Sequence, residues 1–260
     1  MERIKQAIEK VRGQQPNAAG RHVQARAAVP SADILEELEY SQTRVVELQA
    51  QQLENNRIFA INRNDPVSVS FDLLRTQILQ KMEENNWRTL AITSPTPAVG
   101  KTVIAINLAI SIAQQTNKTA MLVDFDLRNP RIGAYLGIPM EKSLNDLLEG
   151  NAELTEILVN PGIPRLVVLP TKNGVSNPSE TLSSKKIEDL IKGMRERYES
   201  RIIIFDLPSL LHSDDALAIL PKIDCILMVV ANGMSSKREI EDSLRHLSKA
   251  NLIGTVFNKA

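Results

Sequence analysis

The 260-residue sequence predicts an α/β fold: a doubly wound, mostly parallel sheet preceded by a helical N-terminal extension. Three observations predict it. Six strand-like apolar runs recur through the second part: TLAITS (89–94), AMLVDFD (120–126), RLVVLPT (165–171), RIIIFDL (201–207), CILMVV (225–230) and LIGTVFN (252–258). Helical stretches lie between them at 101–115, 184–198 and 236–250. Residues 1 to about 65, by contrast, hold no strand-like run and are rich in Gln, Arg and Glu. Continuous apolar strands alternating with helices mean a parallel sheet covered on both faces, with ligands at the carboxyl ends of the strands.

In chain order, Ile4, Ala7, Ile8 and Val11 recur at helical spacing, which predicts a short amphipathic helix over 2–12. A loop with Gly13, Pro16, Gly20 and Pro30 follows, and Ser31 caps a second helical stretch over 32–52. Residues 1–30 carry a net charge of +4 and residues 31–60 a net charge of −4. Two readings of that contrast stay open: two solvated helices attracting each other, or a basic helix that docks on a membrane surface or a partner. The domains read as an extension over 1–65 and a nucleotide-binding sheet domain over 66–260.

Composition removes several classes. Lys plus Arg balance Asp plus Glu at 31 each, which argues against nucleic-acid binding by bulk phosphate neutralisation. The apolar stretch 103–113 is far shorter than a bilayer-spanning helix, and the N-terminus has no secretory apolar region. A cytoplasmic protein is expected. Cys225, inside DCILMVV, reads as a buried thiol, and His22, His212 and His246 share no zinc-ligand spacing.

The first strand runs into SPTPAVGKT (94–102) and then directly into a helix, the context of a phosphate-binding loop, with Pro95 at the position of the usual first glycine. There the backbone of Thr96, Pro97, Ala98, Val99, Gly100, Lys101, Thr102 and Val103 would surround phosphate oxygens at the positive end of the helix. Lys101 would reach the terminal phosphates, and the Thr102 hydroxyl would bind Mg²⁺. The second strand ends in Asp124 and Asp126, which period-two geometry puts on one side. A cation or a basic partner would relieve their repulsion. Asp206 closes the fourth strand after four apolar residues, the pattern of an acid that binds Mg²⁺ directly or through water. His212 and Asp215 read as part of a loop near the nucleotide, with a helix cap the other reading of Asp215.

Taken together, these motifs resemble those of the bacterial tyrosine kinases of capsule and exopolysaccharide loci, relatives of the MinD/ParA ATPases, over residues 64 to 260. TSPTPAVGKT is similar to that family's Walker A loop, MLVDFDLRNP to its Walker A′ motif and IIIFDLPS to its Walker B motif. LPTKNGVSNPSETL resembles its Asn-Pro-x-Glu-Leu-Leu loop through Asn177, Pro178, Ser179, Glu180 and Leu182. GTVFNKA resembles its last strand, with Asn258 as the adenine-side asparagine. The opening MERIKQAIEKVR resembles the N-termini of cytoplasmic kinases encoded beside a chain-length-determinant membrane protein.

The resemblance implies an ATP- and Mg²⁺-dependent protein-tyrosine kinase that regulates exopolysaccharide synthesis. It implies a polysaccharide co-polymerase partner that recruits the chain to the inner face of the membrane, and homo-oligomers. By motif, Lys101 holds the phosphates, Arg128 lies beside the nucleotide, and Thr102 and Asp206 hold Mg²⁺. Asp124 is the general base, and Asp126 supports the metal or the base. The sequence departs from the family pattern in three places. Its tyrosines are Tyr40, Tyr135 and Tyr198 rather than a cluster after the last strand. The family's Glu-x-x-Arg-x-x-Arg motif falls on Val69, Asp72 and Arg75. Ala98 stands where the loop has glycine, and a positive φ there would strain alanine. Two other readings stay open: a MinD/ParA-like regulatory ATPase switch, and a non-catalytic nucleotide-binding interaction module.

Overall fold

In the computed structural model, which describes residues 43–115, 118–197 and 200–259, the apolar runs assemble into an eight-stranded sheet. The strands are β1 (Arg44–Val45), β2 (Thr89–Thr93), β3 (Thr119–Asp124), β4 (Val159–Asn160), β5 (Leu166–Leu169), β6 (Arg201–Asp206), β7 (Cys225–Ala231) and β8 (Leu252–Asn258). The order is β1-β4-β5-β3-β6-β2-β7-β8, parallel throughout except for the β4–β5 pair. The helices are α1 (Ala50–Asn55), α2 (Pro66–Glu84), α3 (Lys101–Gln115), α4 (Ile132–Leu136), α5 (Leu144–Glu149), α6 (Leu154–Ile157), α7 (Pro178–Ser183), α8 (Lys185–Arg197), α9 (Asp215–Ile219) and α10 (Lys237–His246).

Alternation within the strands sorts their side chains onto two faces. Leu90, Ile92, Ile202 and Ile204 pack with Ile78 and Met82 of α2 and with Ile104 and Leu108 of α3. Their neighbours Ala91, Ile203 and Phe205 pack on the other face with Ile187, Ile191 and Met194 of α8. Both faces of the inner strands are therefore dry, and their apolar runs have no polar side to show, whereas β8 at the edge is half exposed. Among the described residues no helix is long and apolar enough to cross a membrane.

The N-terminal part differs from the sequence expectation. The helix expected over 2–12, the Ser31 cap and the start of the second helix lie outside the described residues. Within that second stretch, Arg44 and Val45 are a strand, pairing with Val159 and Asn160 of β4 at the edge of the sheet. Residues 56–62 then pack on α3, so the described part of the expected extension belongs to the sheet domain rather than ending at 65. The tie is Asn107 of α3, which is fully buried. Its Oδ1 accepts from the N–H groups of Phe59 (2.8 Å) and Ala60 (2.9 Å), and its Nδ2 donates to the carbonyls of Arg57 (3.0 Å) and Val103 (2.9 Å). All four hydrogen-bonding capacities of one amide are used.

Asn107→Ala leaves one buried and one part-buried backbone N–H group without acceptors, so it should lower the unfolding free energy by about 2–4 kcal/mol, read from urea denaturation. A change below about 1 kcal/mol would mean that water replaces the amide and that the segment is held by packing alone.

Candidate functional site

The site forms where the carboxyl ends of β2, β3 and β6 meet the start of α3. The register places Asp124 of β3 directly beside Asp206 of β6, and Ile92 of β2 beside Asp206 on the other side. Two acids are thereby fixed at neighbouring strand ends by backbone pairing alone. β3 ends at Asp124, so Asp126 lies beyond the strand expected to run to it, yet it remains at the same site. Phe125 and Phe205, whose ring centres are 5.0 Å apart, fill the apolar layer beneath these ends.

The loop from Ser94 to Gly100 carries the chain from β2 into α3. Ala98 sits at φ 62 and Gly100 at φ 96, so the strain foreseen for alanine at this position is present. α3 opens with the two residues that face the acids. Lys101 Nζ lies 3.0 Å from Asp126 Oδ2, and Thr102 Oγ1 donates to Asp206 Oδ2 at 2.6 Å. Asp124 is fully buried, and its Oδ2 accepts from the N–H groups of Arg131 (2.9 Å) and Ile132 (2.8 Å). The second oxygens of Asp124 and Asp206 are buried with no hydrogen-bond partner. Two unpartnered anionic oxygens beside a hydroxyl suit a divalent cation. Among the described residues no group of three or more His, Cys, Asp and Glu side chains has metal-site geometry. A cation here would complete its shell with phosphate and water oxygens.

These charges perturb one another. Burial lifts the Asp124 carboxyl well above the usual range; Asp206 and Asp126 lift it further, against the pull of the two backbone N–H groups. Asp206 is pushed up to about 6 by burial and by Asp126, although Lys101 and the Thr102 hydroxyl pull it down. Burial alone would depress the Lys101 ammonium, but the charges of Asp206, Asp126 and Asp124 and the Asp126 hydrogen bond outweigh it and raise it. Cys225 takes no part: burial pushes its thiol up to about 12.

A cleft of about 380 Å³ opens in front of this cluster. Pro97, Ala98, Gly100, Lys101, Thr102 and Val103 line one side, and Asp126 and Arg128 another. Asp124 lies one layer behind that wall. Other expected residues are placed differently. Thr96 is turned toward the Met234 carbonyl (3.4 Å), and the Val99 side chain is buried. Asn258 donates its side-chain amide to the Val99 carbonyl at 2.8 Å and so supports the loop. The Arg128 guanidinium is engaged by Asp215, Nε to Oδ2 at 2.9 Å and Nη2 to Oδ1 at 3.2 Å, which raises it further. Asp215 therefore caps no helix; it is the buried anchor of that arginine. Spacing also missed Tyr135, Arg131 and Ser209, which line the cleft together with His212, the histidine read as near the nucleotide. Arg131 and Tyr135 arrive on the segment whose N–H groups hold Asp124, and no local pattern marks them.

No family model matches the chain. Tyrosine-protein kinase CpsD of Streptococcus pneumoniae serotype 4 is 32% identical over 175 residues, 66% of this chain and 76% of the relative. CpsD of Streptococcus agalactiae is 30% identical over 192 residues, 73% and 82% respectively. Tyrosine-protein kinase ptk of Acinetobacter johnsonii is 28% identical over 198 residues, and the chain spans 27% of that longer protein. Among solved structures, the kinase domain of the Escherichia coli tyrosine kinase ETK superposes with a TM-score of 0.71 at 27% identity, covering 77% of this chain and 79% of that one. MinD of Pyrococcus horikoshii OT3, solved with Mg-ADP, shares the fold at 20% identity and a TM-score of 0.55, covering 65% and 69%.

The carboxyl cluster carries a pH dependence. A carboxyl whose folded pKa lies above its unfolded value disfavours folding when ionised. The unfavourable contribution of Asp206 is therefore absent below about pH 4 and complete above about pH 6. With nucleotide absent, Asp206→Asn should be more stable than the unaltered chain by about 2 kcal/mol near pH 7.5, and the gap should close toward about pH 4. Urea unfolding across that range measures it, and equal stability at the upper end would refute it.

Proposed function

The chain belongs to the bacterial tyrosine-protein kinases, and from that premise we propose that it transfers the γ-phosphoryl group of ATP to a tyrosine hydroxyl. The observation that carries the proposal is the pairing of Lys101 with Asp126 and of Thr102 with Asp206 at the mouth of a strained phosphate loop. The loop amides and Lys101 would hold the β and γ phosphates. Mg²⁺, held by Thr102 and Asp206 with support from Asp126, would neutralise charge on the transferring group.

The acceptor phenol attacks the γ phosphorus, the bond to the β–γ bridging oxygen breaks, and ADP departs with that electron pair. The phenolic proton must pass to a nearby base. Asp126 faces the cleft but is engaged by Lys101, whereas Asp124 keeps one oxygen unpartnered and has a carboxyl that burial lifts well above the usual range. Those properties favour Asp124 as the proton acceptor, reached from one layer behind the cleft wall through an intervening water, with Asp126 holding Lys101 in line. Little else is asked of the protein, because phosphoryl transfer depends on alignment and charge neutralisation.

The wider setting is also proposed. On the motifs it shares with its family, the chain acts in exopolysaccharide synthesis beside a membrane chain-length determinant. The basic segment 1–30, part of the extension ahead of the sheet domain, is the docking region. Such a partner would draw the chain from the cytoplasm to the inner face of the membrane. Homo-oligomers remain part of the proposal, and here the local structure is specific. Arg75 turns inward, its Nη1 2.7 Å from Asp72 Oδ1 and 3.1 Å from Ser111 Oγ, while Val69 stays exposed.

Incubation with Mg-ATP, read by intact-protein and peptide mass spectrometry, tests the activity. Phosphotyrosine should form with the unaltered chain, alone or with the cytoplasmic segment of a membrane partner. With Lys101→Met it should fall by at least about 100-fold. ADP without phosphotyrosine in both settings would favour a regulatory ATPase, and neither product would leave an interaction module.

A further inference from the structure

The phosphate loop is tied from behind. Lys259 Nζ donates to the Ala98 carbonyl at 2.9 Å, and Asn258 Nδ2 donates to the Val99 carbonyl at 2.8 Å. Neither Asn258 nor Lys259 lines the cleft, whereas Ala98 and Gly100 do. A trans peptide is planar, with each C=O antiparallel to the N–H of the next residue. Holding the carbonyls of Ala98 and Val99 on the far side therefore turns the N–H groups of Val99 and Gly100 toward the cleft.

The conformation held in this way is not one the loop adopts freely. Ala98 lies at φ 62, a region that disfavours alanine and suits glycine. A Cβ on Gly100 would come within 2.3 Å of Asn258 Nδ2, so glycine at 100 is what lets the asparagine amide close on the loop. Lys259 itself sits at φ 56, and its ammonium also meets Met234 Sδ at 3.2 Å. Strain at two backbone positions persists only when surrounding contacts over-determine it.

We propose that Asn258 and Lys259 are positioning residues of the phosphate site, a two-point clamp that aims the Val99 and Gly100 amides at phosphate. Lys259 thus does a different job from Lys101: one grips a backbone carbonyl outside the cleft, the other faces the carboxylates inside it. The clamp compensates for alanine at position 98, where glycine would need less restraint. The inference rests on residues 96–103 binding nucleotide phosphates.

Titration of the full chain with the fluorescent nucleotide mant-ADP in the presence of Mg²⁺ tests it, with thermal melts of the free proteins run alongside. Lys259→Met should weaken binding about tenfold, while its melting temperature falls by less than about 3 °C. Lys259→Arg should keep the affinity, since it keeps a charged donor. Adding Ala98→Gly to Lys259→Met should restore binding to within about twofold of the unaltered chain, because glycine adopts the positive φ without the tie. Asn258→Ala should weaken binding as Lys259→Met does. An unchanged affinity in Lys259→Met overturns the clamp, and so does a loss that Ala98→Gly fails to reverse, which would reduce Lys259 to a general charge or folding effect. Failure of the unaltered chain to bind mant-ADP overturns the nucleotide reading itself.

Discussion

One ammonium set against three buried carboxylates is the constraint on which the site depends. The parallel register brings Asp124 and Asp206 side by side at the ends of β3 and β6, and Asp126 follows two residues later. Apolar faces above and below the sheet deny these groups water, so their repulsion is felt in a poor dielectric. The Lys101 ammonium and the Thr102 hydroxyl, one residue apart at the start of α3, supply the local compensation. That compensation is incomplete, as the raised carboxyls of Asp124 and Asp206 record. The unpaid remainder is the repulsion that a cation at this position would relieve.

Such a cluster needs a rigid frame, and the frame is built largely around α3. The helix carries the loop at its first turn and is buried against the sheet through Ile104, Leu108 and Ile112. Asn107, on the first turns of the same helix, fastens residues 57–60 to it with a fully used amide. Both ends of the loop are thus anchored, one by β2 in the middle of the sheet and one by α3. The strain at Ala98 and the uncompensated charge are stored in a segment that cannot relax by shifting its ends.

Much of this was legible from local sequence. All six apolar runs became strands; five are buried on both faces, which leaves an unbroken apolar signature, and β8 is the half-exposed edge strand. The phosphate loop, Lys101, Thr102 and the acids at strand ends were legible for the same kind of reason: their positions follow from the loop and strand that carry them. β1 and β4 were not legible. Two residues each, they carry no periodicity, and Arg44–Val45 form a strand because a neighbouring edge offers hydrogen bonds. The helical pattern around them was overridden by that pairing.

Sequence by itself determined the parallel sheet, the loop that runs from β2 into α3 and the acidic strand ends, since each is written in residues that are neighbours along the chain. Only the tertiary structure decided what the long-range partners do. Asn258 meets Val99 across 159 positions, Lys259 meets Ala98 across 161, and Arg128 meets Asp215 across 87. No local pattern encodes such contacts. The first two exist because the strand order leaves only β7 between β2 and β8, and so brings the end of the sheet's last strand up to the loop that follows β2.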